Sequence, residues 1–252
     1  MTRTEKHQDL IGKAALVTGG SRGIGAAIAR RLAARGADVA ITYAASATKA
    51  EDVAAEINAA GRRGLAIQAD SADHHAITTA VNTAAETFGR LDILVNNAGI
   101  FPYGPPEEVT IEELDRTIGI HVKGVFVASQ AALSHMGEGG RIISIGSCFA
   151  QRVPHGGVTL YSMSKSALIG FTKGLARDVG ARGITVNVVD PGSTDTDMNP
   201  ADGPGADGQR ALNAVGRYGA PDDIAAMVAH LASPQGHYIT GASLAVDGGS
   251  NA

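Results

Sequence analysis

From residue 13 onward, short continuous apolar runs alternate with longer stretches whose apolar positions recur every three or four residues. The short runs stand at 14–18, 39–43, 65–68, 91–95, 141–145, 184–189 and 242–246. They are apolar throughout rather than in alternation, which predicts strands buried on both faces. The longer patterns predict helices at 24–34, 49–60, 73–88, 110–134 and 164–181, and one more opened by Pro221. Asp73 and Thr110 stand where N-caps belong, and Gly36 and Gly61 where helices stop. Strands that alternate with helices predict an α/β fold with a parallel sheet of seven strands and helices on both faces. Right-handed crossovers make such a sheet doubly wound. No repeat or linker divides the chain, so residues 11–252 are expected to form a single domain behind a short flexible tail, 1–10. The stretch from Pro191 to about Gly208 is rich in Gly, Pro and Asp and follows the sixth strand. Sheets of this kind bind ligands at that end, and this composition suits a mobile lid at about 193–216.

Composition changes this picture little. The 252 residues are 44% hydrophobic and 18% charged, with a formal net charge of −4. Arg30-Arg31 and Arg62-Arg63 are isolated pairs, so no nucleic-acid surface is expected. No apolar run reaches the ~18 residues of a membrane helix, and the first nine residues lack the apolar segment of a signal peptide. A single cysteine, Cys148, excludes an intrachain disulfide and fits a reducing compartment. No Cys/His/carboxylate cluster has metal spacing, so no catalytic metal is expected.

Two stretches carry chemistry. Thr18-Gly19-Gly20-Ser21-Arg22-Gly23-Ile24-Gly25 joins the first strand to the first helix. Its glycines allow a tight turn and close approach of a pyrophosphate to the free N–H groups of the helix N-terminus. The second is Tyr161-Ser162-Met163-Ser164-Lys165, read with Ser147 on the loop after the fifth strand. Tyr161 and Lys165 are four apart and share one helix face. An ammonium beside a phenol favours the phenolate and lowers its pKa from about 10. With Ser147 as a hydrogen-bond donor, the three form a proton-handling site for a carbonyl or an alcohol.

Taken together, these motifs resemble the short-chain dehydrogenase/reductase family from about residue 11 to 250. TGGSRGIG is similar to its TGxxxGxG signature, and Asn96-Asn97-Ala98-Gly99 to its NNAG motif. Ser147, Tyr161 and Lys165 match its catalytic serine, tyrosine and lysine, and Asp190-Pro191-Gly192 with Thr196 resembles its PG motif. Within the family the chain is most similar to bacterial 3-oxoacyl-ACP reductases and related carbonyl reductases. The resemblance implies a Rossmann fold, a nicotinamide cofactor, a ketone substrate, and a cytoplasmic homotetramer that needs no nucleic acid or membrane. It further implies that Tyr161 protonates the substrate oxygen, Ser147 polarises it, and Lys165 holds the nicotinamide ribose. Gly19, Ser21, Arg22, Gly23, Ile24 and Gly25 would meet the pyrophosphate side. Asp70, Ser71, Asn97, Ala98 and Gly99 would line the adenosine side. Pro191, Gly192, Thr194 and Thr196 would hold pyrophosphate and carboxamide. The rival reading is a regulatory protein that binds the nucleotide without turnover.

The residues after the second strand choose the cofactor. An acidic side chain there would hold ribose hydroxyls of NAD. Tyr43, Ala44, Ala45 and Ser46 stand there instead, while Arg22 and Ser46 can meet a 2′-phosphate, so NADPH is expected over NADH. His121 stands where the family usually has an asparagine that places a relay water. A histidine could hold that water, titrate near neutral pH, or fill space. The role of Asp190, whether loop cap or substrate contact, stays open. Phe149, His155 and Val158 are candidate pocket walls, with Phe101, Tyr103, Met198 and Asn199 nearby.

Overall fold

The computed structural model describes residues 8–252. Its seven strands are β1 (Ala14–Val17), β2 (Asp38–Tyr43), β3 (Gly64–Gln68), β4 (Ile93–Asn96), β5 (Arg141–Ile145), β6 (Thr185–Pro191) and β7 (Ser243–Val246). They form one sheet in the order β3-β2-β1-β4-β5-β6-β7, and every pairing is parallel. Side chains alternate between two cores, which is why the strands read as unbroken apolar runs. Ala15, Val17, Val39, Ile41, Ile93 and Val95 face one core; Ala14, Leu16, Ala40 and Leu94 face the other. The first core is closed by α1 (Gly23–Ala34), α2 (Ala47–Ala59) and α8 (Pro221–Ala232). The second is closed by α3 (His74–Phe88), α5 (Gly124–Leu133) and α6 (Thr159–Val179). Strand order reverses between β1 and β4, so the crevice at their carboxyl ends is where a ligand fits.

Asp73 and Thr110 cap their helices as expected, accepting from the N–H groups of His75 and Ala76 and of Glu113. Three details depart from the pattern. The helix expected at 110–134 is α4 (Ile111–Ile118) and α5 joined by a π-helical turn, Gly119–Lys123. One extra residue per turn rotates His121 inward, and such bulges cluster at functional sites. Helix α6 starts at Thr159 rather than at 164, so Tyr161 lies in its first turn. The lid contains a short helix, α7 (Ala206–Leu212).

Of the expected tail 1–10, residues 1–7 lie outside the described residues. Asp9 pairs with Arg35, and Leu10 is 1% exposed with its N–H on the Arg35 carbonyl, so these two belong to the domain. Among the described residues no helix is long and apolar enough to cross a membrane, and no group of acids, histidines and cysteines could hold a metal ion.

Candidate active site

Ser147 follows β5 across Gly146, and that glycine is required by packing. A Cβ there would stand 2.0 Å from Asp190 Oδ1. Asp190, on β6, is fully buried, and its Oδ1 accepts the Ser147 N–H at 3.1 Å. Its Oδ2 accepts from the Ser243 hydroxyl of β7 and from Gln151 Nε2 at 3.4 Å. Burial pushes the Asp190 carboxyl up, while Ser243, the Ser147 N–H, Gln151 and the Lys165 charge pull it back. The carboxylate therefore braces the Ser147 loop from beneath, which answers the question the sequence left open. The Ser147 Oγ in turn accepts the Phe149 N–H at 3.2 Å.

Tyr161 and Lys165 both project from the start of α6 into the crevice. The Lys165 Nζ donates to the Ile145 carbonyl at 2.8 Å and lies 5.9 Å from the centre of the Tyr161 ring. Burial is the largest influence on each. It pushes Tyr161 up to about 12, against the pull of the neighbouring Ser147 hydroxyl. It pushes Lys165 down to about 8, with the Asp190 carboxylate acting the other way. The depression of Tyr161 by Lys165 that the spacing suggests is not what prevails here: burial raises the phenol, and Ser147 is the group that pulls it back. The result is a neutral phenol, which is the form able to give a proton to a carbonyl oxygen.

His121 is 1% exposed and sits against Tyr161, ring centres 5.9 Å apart. Its Nε2 accepts the Ile100 N–H at 3.0 Å. Its Nδ1 lies 2.8 Å from Ser164 Oγ, whose hydroxyl donates to the Tyr161 carbonyl at 2.7 Å. The tautomer follows: with the Ser164 proton committed, Nδ1 carries hydrogen and Nε2 accepts. Both ring nitrogens are spent, and burial, with Lys165 second, pushes the imidazole down to about 2. Of the three roles open to His121, this geometry favours filling space over titration near neutral pH or holding a relay water. The ring is a neutral buttress that fixes the first turn of α6 under Tyr161.

The glycine-rich turn is built against the segment after β4. Asn97 Nδ2 donates to the carbonyls of Thr18 (2.9 Å) and Gly19 (3.0 Å), and the N–H groups of Asn97 and Ala98 donate to Thr18 Oγ1. The Asn97 amide thus shapes the turn rather than reaching toward the adenosine side. A Cβ on Gly25 would come within 2.4 Å of the Gly19 carbonyl and 2.5 Å of Asn97 Nδ2. Helix α1 has no side-chain cap and no acid in its first turn, so its N-terminal amides face the crevice free. Ser21 and Ile24 stand in this turn, and Gly23 packs toward Thr196 at the start of the lid. Thr194 is tied to the Gly192 carbonyl, next to Pro191 at the end of β6.

On the far side of the turn, Ala44 and Ala45 are exposed and Ser46 stands at the uncapped N-terminus of α2 behind Tyr43. Arg22 and Lys49 converge there on one carboxylate oxygen, Asp197 Oδ2 of the lid, at 3.5 and 3.1 Å. Lys49 was not singled out in the sequence; only the fold brings it to Arg22. Asp70 is held by Arg116 (2.7 Å) and by the Ala72 N–H, which pull its carboxyl down against burial, and Ser71 adjoins it.

At the substrate end, Phe101 and Phe149 stand edge-on to Tyr161, and His155 is exposed beside Phe149. Val158 is 1% exposed and packs inward, so it is not an open wall. Met198 is half exposed, while the Asn199 amide is locked to Gln209 of α7. A shallow cleft, open to solvent, adjoins Phe149 and His155. It is completed by Arg152, Ser193, Leu212 and Asn251, which no local pattern marks.

This fold, with serine, tyrosine and lysine gathered at a glycine-rich switch point, defines the short-chain dehydrogenase/reductase family of oxidoreductases, and the chain belongs to it. The family model described as enoyl-(acyl carrier protein) reductase matches residues 19–251. The solved structure of a short-chain dehydrogenase from Burkholderia cenocepacia J2315, in complex with NADP, is 62% identical with a TM-score of 0.96. That match covers 97% of this chain and 100% of the other. The cyclic-di-GMP-binding biofilm dispersal mediator protein of Escherichia coli is 47% identical over 94% of this chain and 96% of its own length. A hydroxynaphthalene reductase of Aspergillus fumigatus is 39% identical over 96% of this chain and 93% of its own length.

Proposed function

We propose that the protein is an NADPH-dependent carbonyl reductase in which Tyr161 protonates the oxygen of a ketone as it becomes an alcohol. The observation that carries this is the convergence of Ser147, a neutral Tyr161 and the buried Lys165 ammonium beside the glycine-rich turn. The residues fit the cofactor. The free amides at the start of α1 suit its pyrophosphate, and glycines stand where a Cβ would obstruct the turn. Arg22, Lys49 and the uncapped start of α2 suit a 2′-phosphate, and no acid stands at 43–46 to repel it. NADPH, when bound, supplies the hydride. The Burkholderia relative, crystallised with NADP, supports this choice.

The chain's own residues then act as follows. Ser147, held by Asp190, presents its hydroxyl to the developing oxyanion. Tyr161 donates its proton to the same oxygen. Lys165, charged on the acid side of about 8, keeps a positive charge near the oxygen and stands within reach of a ribose. The reading extends, as the resemblance implies, to a cytoplasmic homotetramer, with sedimentation as its check.

The test is NADPH oxidation against ketones, oxo esters and quinones, with Tyr161→Phe in parallel. Loss of the acid is expected to lower kcat by about 10²–10⁴-fold. A Tyr161→Phe enzyme as fast as wild type would refute the assignment. The likeness to the biofilm mediator supports a second reading, a nucleotide-binding regulator. Tight NADPH binding with no turnover of any carbonyl would favour it.

A further inference from the structure

We infer, resting on the reductase reading above, that the substrate is a compact aromatic carbonyl compound, an aryl ketone or aryl dicarbonyl, gripped by a closed collar of rings around Tyr161. Five rings meet in a circuit. Tyr161 meets Phe101 at 4.8 Å between centres, Phe101 meets Tyr103 at 6.3 Å, and Tyr103 meets His155 at 6.4 Å. His155 meets Phe149 at 5.4 Å, and Phe149 returns to Tyr161 at 6.3 Å. The proton donor is therefore itself one link of the collar. Phe101 and Phe149 stand at 69° and 89° to the Tyr161 ring, on loops that follow β4 and β5.

The collar is held in shape by backbone. Gly104 N–H donates to the Gly157 carbonyl at 2.9 Å, lacing the two loops together. Tyr103 lies over Gly157, where a Cβ would come 2.9 Å from its ring and where φ is +84°. A preformed collar of this kind does not have to be ordered by the ligand, and its exposed faces are unspent. Phe101 keeps 41% and Tyr103 68% of its surface open to solvent. Burying such faces against a flat ring gains apolar contact and the edge-to-face or offset geometry that aromatic pairs prefer.

The rest of the mouth argues against a linear acyl group on a carrier. Pro154 and the exposed Leu212 join Phe149 to give its lining an apolar side. Carrier-bound acyl groups arrive on a phosphate-bearing arm, which wants a free cation. Among the described residues lining the adjoining cleft the one arginine or lysine is Arg152, so that lining offers no cluster of cations to such an arm.

The experiment compares kcat/KM for matched pairs at saturating NADPH. Ethyl benzoylformate is set against ethyl pyruvate and against its cyclohexyl analogue, and 1-phenyl-1,2-propanedione against 2,3-butanedione. An acetoacetyl pantetheine thioester represents the linear class. The phenyl compounds are expected to lead by at least tenfold, mainly through KM. In Phe101→Leu and Phe149→Leu, which keep apolar bulk without a ring, that lead should shrink at least threefold. Equal or better turnover of the aliphatic or thioester substrates would overturn the inference and leave the reductase reading standing. So would a phenyl lead unchanged in both variants. Should a variant not fold, the wild-type ratio of phenyl to cyclohexyl substrate decides, and a ratio near one overturns the collar. No turnover of any carbonyl would sink the reductase reading and this inference with it.

Discussion

Replacing His121 by glutamine tests the account of the buried imidazole most directly. Gln places an acceptor near the position of Nε2, so the Ile100 N–H keeps a partner while the titrating ring is gone. In the unfolded chain the imidazole protonates at its ordinary 6.5; in the fold it is pushed down to about 2. The sign follows from linkage. The native state binds fewer protons than the unfolded one below 6.5, so stability is intact above that value and is lost as pH falls toward 2. Each pH unit below 6.5 costs about 1.36 kcal/mol, which comes to about 2 kcal/mol at pH 5. For a chain of this size that is roughly 4–8 °C in Tm. The assay is thermal unfolding of both proteins at pH 7 and pH 5 under one scan rate. Wild type should lose that much more Tm than His121→Gln between the two, because every other titrating group is common to both. The variant starts from a lower Tm at pH 7 and keeps the shape of the wild-type pH–rate curve. Parallel Tm losses in the two proteins would refute the reasoning, since His121 would then be taking up its proton within the fold.

Asp190→Asn keeps an acceptor for the Ser147 N–H but removes the negative charge that raises both Tyr161 and Lys165, so the basic limb of the pH–rate profile should move to lower pH. Asp190→Leu leaves the Ser147 N–H and the Ser243 hydroxyl without their buried acceptor, at a cost of about 1–3 kcal/mol for each such group. Its kcat should fall at least tenfold with NADPH affinity kept, and a kcat equal to wild type would show that Ser147 needs no brace. Arg22→Ala should weaken NADPH about tenfold and NADH little by fluorescence titration, with the wild-type preference eroded by salt. Equal losses for the two cofactors would remove Arg22 from the phosphate site.

What could be read along the chain was whatever depends on neighbours in sequence. Continuous apolar runs marked the strands because the five central ones are buried on both faces, and the edge strands β3 and β7, only partly buried, keep the same apolar composition; the caps at Asp73 and Thr110 are local devices. Ser147, Tyr161, Lys165 and the glycine-rich turn were legible because close backbone approach and a shared helix face impose short spacings. The π-helical turn was not, because an i+4 pattern continues through 119–123 with no proline or cap to interrupt it.

The roles of the buried polar groups were settled only by the fold. His121 and Ser164 are 43 residues apart, as are Ser147 and Asp190, and neither hydrogen bond has a local signature. The same holds for the convergence of Arg22 and Lys49 on Asp197 and for the ring circuit that closes through Phe101, Phe149 and Tyr161. Periodicity and motif spacing thus determine the sheet and mark the candidate reacting groups, because they express backbone geometry over a few residues. Protonation state, loop bracing and pocket character depend on which distant side chains share a desolvated space. Burial is then the largest influence on the proton, as Tyr161 and His121 both show.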